Sequence, residues 1–464
     1  MTTKHVLILG LGVAMVMPAL AQKNITPQML QQFQNSYKSV GADKALDNAV
    51  AANDIKVLAL NNESMAQFDT EFSNKVNSKG VTNQKGSGRC WLFSGLNVLR
   101  AKMIARYNLG AMEFSENYCF FYDQLEKSNL FLQAIIDNGK KPMDDRMVDW
   151  LFHNPIGDGG TFCGVVDIVS KYGIVPATVM PETYSSNSTG TYSMLLKTKL
   201  REYGLTLRKM IAEGKSNKQV MEKKVEMLGV VYKMLVRCFG VPPQKFSYTL
   251  RNAAGKVIST KEYTPKSFYD EHIGIDLANN YFMFMNDPSR EYYKTYEIDL
   301  DRHSYDGHNW VFLNVPMQDI KDMAVASIKD STMMYMSCDV GKYNDSKRGY
   351  SDPDVYNYGE IFGVDFPMDK KDRISTFASA STHAMTLMAV DIDEQGKTKK
   401  WMVENSWGPS SGFKGHIIMS DKWFDEYLFR LVVAKKYVPA KLADMMKQKP
   451  VLLPAWDPLF QPEQ

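Results

Sequence analysis

The sequence predicts an α+β fold of two or three lobes, and three observations support this prediction. A helix-patterned apolar run follows Cys90, and two strand-like apolar runs lie far downstream at residues 384–390 and 400–403. The chain has 464 residues, which is more than a single hydrophobic core usually holds. Together these observations indicate helices and strands distributed over more than one lobe.

The first segment of the chain has the features of an export signal. Lys4 and His5 precede an apolar run at residues 6–17, and Ala19-Leu20-Ala21 has the small residues of a cleavage site. The run is too short to span a bilayer, and no cysteine for lipid attachment follows it. We therefore expect residues 1–21 to be a signal peptide and the exported protein, without a membrane anchor, to reach a bacterial periplasm.

The next informative segment is a polar, glycine-rich turn that leads into Cys90. The apolar residues that follow recur at helical spacing: Leu92, Phe93, Leu96, Leu99, Met103 and Ile104. This pattern predicts Cys90 in the first turn of an amphipathic helix, where backbone N–H groups and the helix dipole lower the pKa of a thiol. Gln84, on the other side of the turn, is placed to offer its side-chain amide to an oxyanion at the sulfur.

A plausible base for this thiol is His383, which precedes the first of the two strand-like runs. Asn405 follows the second run and is itself followed by Trp407. If the two strands are adjacent and antiparallel, the Asn405 amide oxygen accepts a hydrogen bond from the imidazole. Trp407 then covers that hydrogen bond against water.

These segments resemble the papain-like cysteine peptidases, and within them the bleomycin hydrolase/aminopeptidase C family. The likeness begins at Gln84-Lys85-Gly86-Ser87-Gly88-Arg89-Cys90-Trp91-Leu92-Phe93. Further motifs follow in the order of the family: Phe114-Ser115-Glu116-Asn117-Tyr118, Asp158-Gly159-Gly160, Lys171-Tyr172-Gly173, Pro181-Glu182-Thr183-Tyr184, Asn286-Asp287-Pro288 and Trp456-Asp457-Pro458. The resemblance thus covers nearly all of the chain after the leader.

The resemblance implies a papain-like two-lobe cysteine peptidase, with a helical lobe, an antiparallel β-barrel-like lobe and an inserted helical domain. It implies that Cys90, His383 and Asn405 are catalytic and that Trp407 shields the site. Gln84 and the Cys90 backbone N–H form the oxyanion hole, and catalysis proceeds through an acyl-enzyme without a cofactor. It also implies a homohexamer that encloses the active sites.

For substrate binding, the resemblance implies a glycine-lined wall at Asp158, Gly159 and Gly160, whose backbone pairs with an extended peptide. Thr161-Phe162 departs from the Gln-Trp pair that usually follows in the family. The family also implies a C-terminal arm whose terminal carboxylate, here that of Gln464, binds the α-amine of a peptide substrate. Residues 459–464 are bulkier than the small-residue ending typical of the family.

The spacing of the site residues predicts an insertion. His383 and Asn405 lie 293 and 315 residues after Cys90 (383 − 90 and 405 − 90), against roughly 130–150 in compact papain-like enzymes. Two helix-patterned runs, 197–208 and 218–238, and a hairpin pattern at 246–261 identify the extra lobe. The predicted organisation is a leader (1–21), an N-terminal region and helical lobe (22–192), the insertion (193–284), a β-rich lobe (285–448) and a C-terminal arm (449–464).

Composition argues against several other classes of protein. The formal net charge is only +3, so nucleic-acid binding is not expected, and a local basic cluster at residues 197–218 is interpreted as a solvated helix face. Neither a Cys-x-x-Cys nor a His-x-x-x-His spacing occurs, and no metal is expected. Whether Cys119, Cys163, Cys238 or Cys338 forms a disulfide cannot be read from the sequence.

The favoured function is an exported thiol aminopeptidase that removes N-terminal residues from peptides, and bleomycin-like amides are further candidate substrates. If the arm does not block the cleft, the same triad would act as an endopeptidase or an acyl transferase. The non-enzymatic alternative is a barrel that binds peptides or nucleic acid.

Overall fold

The computed structural model describes residues 24–458. The predicted leader, residues 1–21, and the terminal Gln464 lie outside these residues. The described chain forms two compact units: a small one, residues 24–60 with 357–364, and a large one, residues 61–356 with 365–458.

The helices and strands alternate irregularly along the chain. The helices are α1 (Pro27–Ser36), α2 (Ala42–Ala52), α3 (Ile55–Leu58), α4 (Asn62–Ala66), α5 (Cys90–Tyr107), α6 (Glu116–Asp137), α7 (Arg146–His153), α8 (Phe162–Tyr172), α9 (Tyr184–Asn187), α10 (Gly190–Ala212), α11 (Asn217–Phe239), α12 (Pro265–His272), α13 (Leu277–Asn280), α14 (Met317–Lys329), α15 (Tyr358–Phe362), α16 (Lys370–Ser375), α17 (Asp421–Tyr427) and α18 (Ala440–Met445). The strands are β1 (Asn74–Lys75), β2 (Phe246–Arg251), β3 (Val257–Tyr263), β4 (Tyr281–Met285), β5 (Thr295–Ile298), β6 (Val311–Asn314), β7 (Met334–Cys338), β8 (Asn344–Asp345), β9 (Tyr350–Ser351), β10 (His383–Ile392), β11 (Thr398–Glu404), β12 (His416–Ser420), β13 (Leu428–Ala434) and β14 (Val451–Leu453).

The small unit consists of α1, α2, α3 and α15. Side-chain caps fix the starts of two of these helices, since Thr26 accepts from the Met29 N–H and Asp54 accepts from the Lys56 N–H. No residue of α1, α2 or α3 is buried.

Helix α5 is the central helix of the large unit, and it starts at Cys90 as predicted. Its expected amphipathic character is wrong, because every residue from Cys90 to Arg100 is buried. The helix packs against α6 and α8 on the helical side and against β10 of the sheet. Its polar residues are therefore paired internally: the Asn97 Nδ2, for example, donates to the Thr82 Oγ1 at 3.0 Å.

The helices and hairpin predicted between residues 193 and 284 are confirmed. α10 and α11 pack on each other and on α6, and α11 begins with a capping box formed by Ser216 and Gln219. The β2–β3 hairpin follows, and its turn contains Gly255 in a positive-φ conformation that favours glycine.

One large mixed sheet organises the second half of the chain. Its strand order is β14-β5-β6-β4-β13-β7-β10-β11-β12-β9-β8, and β1 also pairs with β10. Most pairs are antiparallel, whereas β4–β6, β5–β14 and β9–β12 are parallel. β10 lies near the middle, and its first eight residues are buried. The antiparallel β10–β11 pair places the start of β10 beside the end of β11.

Between residues 24 and 458, no helix combines the length and the apolar character needed to cross a bilayer.

Candidate active site

Cys90 is the first residue of α5, at the position predicted for an activated thiol. The residue before it, Arg89, occupies the N-cap position but makes no side-chain cap. The Arg89 guanidinium instead turns inward, where it donates to both carboxylate oxygens of Glu182 (3.0 and 2.7 Å) and to the Ser87 Oγ (2.9 Å). These hydrogen bonds fix the position of the residue that precedes the helix. The Arg89 side chain does not cover the backbone N–H groups beside the sulfur.

His383 is the first residue of β10, the strand that packs against α5. The backbone N–H of its neighbour Ala384 lies 3.5 Å from the Cys90 Sγ, which brings the start of β10 against the nucleophile. The His383 Nε2 and the Asn405 Oδ1 are 2.8 Å apart. This contact uses Nε2, so a proton exchanged with the thiol would be carried by the other ring nitrogen, Nδ1.

The orientation of Asn405 is fixed by the backbone. Its Oδ1 also accepts a hydrogen bond from the Ser406 N–H at 2.8 Å, so the amide oxygen faces the imidazole. The Trp407 ring lies over His383, with ring centroids 4.9 Å apart and planes inclined by 35°. The His383–Asn405 hydrogen bond expected from the sequence is therefore present, and the Trp407 ring packs against the imidazole as expected.

Gln84 is held between the two sides of the site. Its backbone N–H donates to the Ser406 carbonyl (2.8 Å), and the Ser406 hydroxyl donates to the Gln84 Oε1 (2.6 Å). The Gln84 Nε2 donates to the Ser87 carbonyl at 2.6 Å. An amide nitrogen carries two N–H groups, so one N–H is used for positioning and the second is available to a substrate oxygen.

Asp158 lies beside the turn that precedes Cys90. Its carboxylate accepts from the Gly88 N–H (3.2 Å), the Ser193 hydroxyl (2.8 Å) and the Thr189 hydroxyl, so it connects this turn to α10. Gly159 and Gly160 follow Asp158 and line a cavity of about 260 Å³ together with Thr161, Asp301 and Ala455, among other residues. The cavity therefore lies directly beside the predicted glycine wall.

The C-terminal arm is anchored at its base. β14 pairs in parallel with β5, the Arg146 guanidinium lies 4.4 Å from the centre of the Trp456 ring, and the Arg290 Nη2 lies 2.5 Å from the Asp457 Oδ2. Ala455, between these anchors, reaches the cavity beside the glycine wall. The arm therefore reaches a cavity that Gly159 and Gly160 also line before it leaves the described residues.

Two features of this region were missed by the sequence analysis. The buried ion pair between Arg100 of α5 and Glu404 at the end of β11 connects the helix of Cys90 to the strand that precedes Asn405. The other is a buried cluster in contact with the glycine wall, formed by Asp123, Lys127 and His303. A charged residue inside an apolar helix pattern, as at Arg100, is the signal that identifies such a pair.

We expect the Arg100–Glu404 pair to be important for stability. Both side chains are at most 1% exposed, and burial raises the pKa of Glu404 while Arg100 opposes that shift. Glu404→Gln leaves Arg100 as a buried charge without its counterion, and we expect a loss of about 3–5 kcal/mol in the free energy of unfolding. Denaturant unfolding measures this loss.

The matched control is Glu226→Gln, which removes the carboxylate of an exposed pair with Lys223 and should change stability by less than about 1 kcal/mol. Equal losses in the two variants would contradict the importance of the buried pair.

Among the residues from 24 to 458, no group of three or more His, Cys, Asp or Glu side chains is arranged to hold a metal. No disulfide joins the cysteines of this part of the chain.

The sequence profile of a family described as Peptidase C1-like matches residues 24–460. The chain belongs to this family. Aminopeptidase C of Lactobacillus delbrueckii subsp. lactis is 35% identical over 442 residues, which cover 94% of this chain and 98% of that protein. Bleomycin hydrolase of Rattus norvegicus is 36% identical over 422 residues, or 89% of this chain and 93% of that protein.

Among solved structures, PepW from Lactobacillus rhamnosis superposes with a TM-score of 0.91 at 36% identity, covering 94% of this chain and 99% of that chain. The predicted resemblance and the papain-like fold are thus confirmed. This Peptidase C1-like protein is a cysteine peptidase. The roles of its individual residues are inferred from their geometry.

Proposed function

We propose that this protein is an exported cysteine aminopeptidase that uses Cys90, His383 and Asn405 to release N-terminal residues from peptides. The observation that carries the proposal is the meeting of the α5 N-terminus with the start of β10. There the Ala384 N–H contacts the Cys90 Sγ, and the His383–Asn405 hydrogen bond orients the imidazole.

The reaction begins when the thiol proton of Cys90 passes to His383 and the thiolate attacks the carbonyl carbon of the scissile bond. The developing oxyanion accepts hydrogen bonds from the Cys90 backbone N–H and from the second N–H of the Gln84 amide. His383 then returns its proton to the departing amine as the C–N bond breaks. A thioester to Cys90 remains.

In the hydrolysis of the thioester, His383 acts first as a base. His383 takes a proton from water, the resulting hydroxide attacks the thioester carbonyl, and the Cys90–carbonyl bond breaks to release the acid. Asn405 keeps the imidazole in the plane that serves both steps, and Trp407 excludes competing water from their hydrogen bond.

The C-terminal arm supports the aminopeptidase form of this proposal. Its base is anchored by Arg146 and Arg290, and Ala455 faces the cavity beside Gly159 and Gly160. The proposal assigns recognition of the substrate's α-ammonium group to the terminal carboxylate of Gln464, which lies outside the described residues. Relatives of similar length are named aminopeptidases and bleomycin hydrolases, so peptides and bleomycin-like amides are the proposed substrates.

The first test compares peptides that differ only in a free or an acetylated N-terminus. We expect acetylation to lower kcat/KM at least about tenfold, because a charge pair of this kind contributes about 1.4 kcal/mol or more. Deleting residues 460–464 should remove this preference and permit internal cleavage, which mass spectrometry of the products detects.

Gln464→Ala is the matched control, because it changes the last side chain but keeps the terminal carboxylate. An intact enzyme that cleaves free and acetylated peptides equally would favour the endopeptidase alternative.

The proposal includes cleavage of the leader after Ala21, export to the periplasm and assembly into a homohexamer. The mass of the mature protein from fractionated cells tests export, and its size in solution tests assembly.

A further inference from the structure

A buried charged cluster, formed by Asp123, Lys127 and His303, lies against the glycine wall and takes no part in the proposed chemistry. Lys127 and His303 line the same cavity as Gly159 and Gly160. The Asp123 Oδ1 is 2.5 Å from the His303 Nδ1, and the Asp123 Oδ2 is 2.9 Å from the Lys127 Nζ. Asp123 is fully buried, and His303 and Lys127 are only 5% and 14% exposed. Burial alone would raise the pKa of Asp123, but Lys127 and His303 outweigh this effect and hold it below its ordinary value.

The ammonium group of Lys127 binds the backbone of the wall directly. Its Nζ donates to the carbonyl oxygens of Gly159 (2.7 Å) and Gly157 (3.2 Å). The carbonyl between them, that of Asp158, accepts from the Trp91 Nε1 at 2.8 Å. Three successive carbonyls are therefore held by side-chain donors, and one of these donors belongs to the residue that follows Cys90.

His303 fixes the other end of the wall by packing. A Cβ atom at Gly160 would lie 2.2 Å from the His303 Cε1, and one at Gly164 would lie 2.3 Å from the same ring. The imidazole thus fills the space that these two glycines leave open. The ring is held by Asp123, and the His303 backbone N–H donates to the Asp167 Oδ2 at 2.8 Å.

Through these contacts the cluster of Asp123, Lys127 and His303 holds the backbone of residues 157–160 in place. A lysine that binds two carbonyls and a carboxylate orders them as a unit, because each hydrogen bond to a charged group is strong in a buried site. Without the ammonium group, the Gly157 and Gly159 carbonyls lose this charged donor. The Gly157 carbonyl keeps the Gln124 Nε2 as a donor (3.1 Å) and the Asp158 carbonyl keeps the Trp91 Nε1, so the loss falls mainly on Gly159. That part of the wall is then held less firmly, whereas Cys90 and His383 keep their own supports.

We propose that Lys127 is a positioning residue that fixes the glycine wall for the extended peptide lying against it, and that its loss weakens peptide binding more than chemistry. The inference rests on the proposed function, in which the backbone of this wall pairs with a peptide.

The test uses the double variant Lys127→Met/Asp123→Asn, which removes the ammonium group without leaving a buried carboxylate ionised. In active enzyme we expect KM to rise about tenfold and kcat to change less than about twofold, because the lost interaction serves binding. The rate of Cys90 alkylation by iodoacetamide, a reagent too small to need the wall, should stay unchanged. Lys127→Arg should restore KM, and Lys127→Gln, which keeps a neutral donor, should give a smaller rise.

Lys224→Met is the matched control. Lys224 is also a buried lysine of the helical region, only 6% exposed, and its Nζ donates to the Gln133 Oε1 at 2.7 Å. We expect this variant to lower the thermal unfolding temperature without changing KM. An equal rise of KM in Lys224→Met, or an unchanged KM in Lys127→Gln and in the double variant, would overturn the inference.

Binding measured on the Cys90→Ala background separates this inference from the proposed function. A peptide with a free N-terminus and a fluorescent label at its C-terminus should bind about tenfold more weakly when Lys127→Met/Asp123→Asn is added to this background, and should lose less affinity when Lys127→Gln is added. Equal affinities overturn the role of Lys127 even if the enzyme is active. An inactive wild-type enzyme that shows this loss of affinity overturns the proposed function and leaves the positioning role standing.

Discussion

Cys90→Ala is expected to lower kcat/KM for peptide substrates by at least about 10⁴-fold, the largest effect of any single substitution in this protein. Alanine cannot form the thioester, so the remaining activity comes only from substrate binding and the oxyanion donors. Fluorogenic aminoacyl amides measure the rates. His383→Ala should cause a loss of similar size, because members of one catalytic unit are not additive.

Cys119→Ala is the matched control for this prediction. Cys119 is a fully buried cysteine on α6, and burial raises the pKa of its thiol far above the ordinary value. A thiol in such surroundings is not a nucleophile at neutral pH. We therefore expect Cys119→Ala to retain its kcat and to lose stability only. Equal activity of wild type and Cys90→Ala would remove Cys90 from the chemistry.

Sequence reasoning was most successful where local pattern and chemistry coincide. The glycine-rich turn followed by an apolar run fixed the start of α5 at Cys90, because both features act within a few residues. The pairing of His383 with Asn405 was also predictable, since two buried-strand runs with a short connection favour an antiparallel pair. The structure has this pair and the hydrogen bond beside it.

The features that were missed depend on contacts between distant parts of the chain. Arg100 and Glu404 are 304 positions apart, and Asp123 and His303 are 180 apart. No local pattern links such residues, because their partners are chosen by the packing of helices against the sheet. The error over the amphipathic character of α5 has the same origin, since residues 90–100 of this helix lie between two layers and have no face left for water.

Asp158 illustrates a subtler limit of sequence reasoning. Its place before Gly159 and Gly160 indicated a residue at the substrate wall, and the structure does put it beside the turn of Cys90. Its carboxylate, however, is engaged by the Gly88 N–H and by the hydroxyls of Thr189 and Ser193. Such a set of donors favours a structural contribution through the Cys90 turn, a distinction that only side-chain geometry supplies.

Gln84→Ala is expected to lower kcat by about 10²–10³-fold, the loss typical of removing one oxyanion-hole donor. The Gln84 amide is preorganised, since Ser406 holds its oxygen and the Ser87 carbonyl holds one of its N–H groups. The second N–H therefore needs no reorganisation when charge develops on the substrate oxygen. Because this hydrogen bond strengthens in the transition state, kcat should fall while KM changes little.

Ser406→Ala tests how much the orientation of the Gln84 amide contributes, apart from the amide itself. This variant keeps the Gln84 amide but removes the hydroxyl that orients it, so we expect a smaller loss of kcat, about tenfold. Steady-state kinetics of both variants, with thermal unfolding as a check on folding, measure the difference. If Gln84→Ala kept its kcat and only raised KM, Gln84 would be a substrate-binding residue, and the Cys90 backbone N–H would have to stabilise the oxyanion without it.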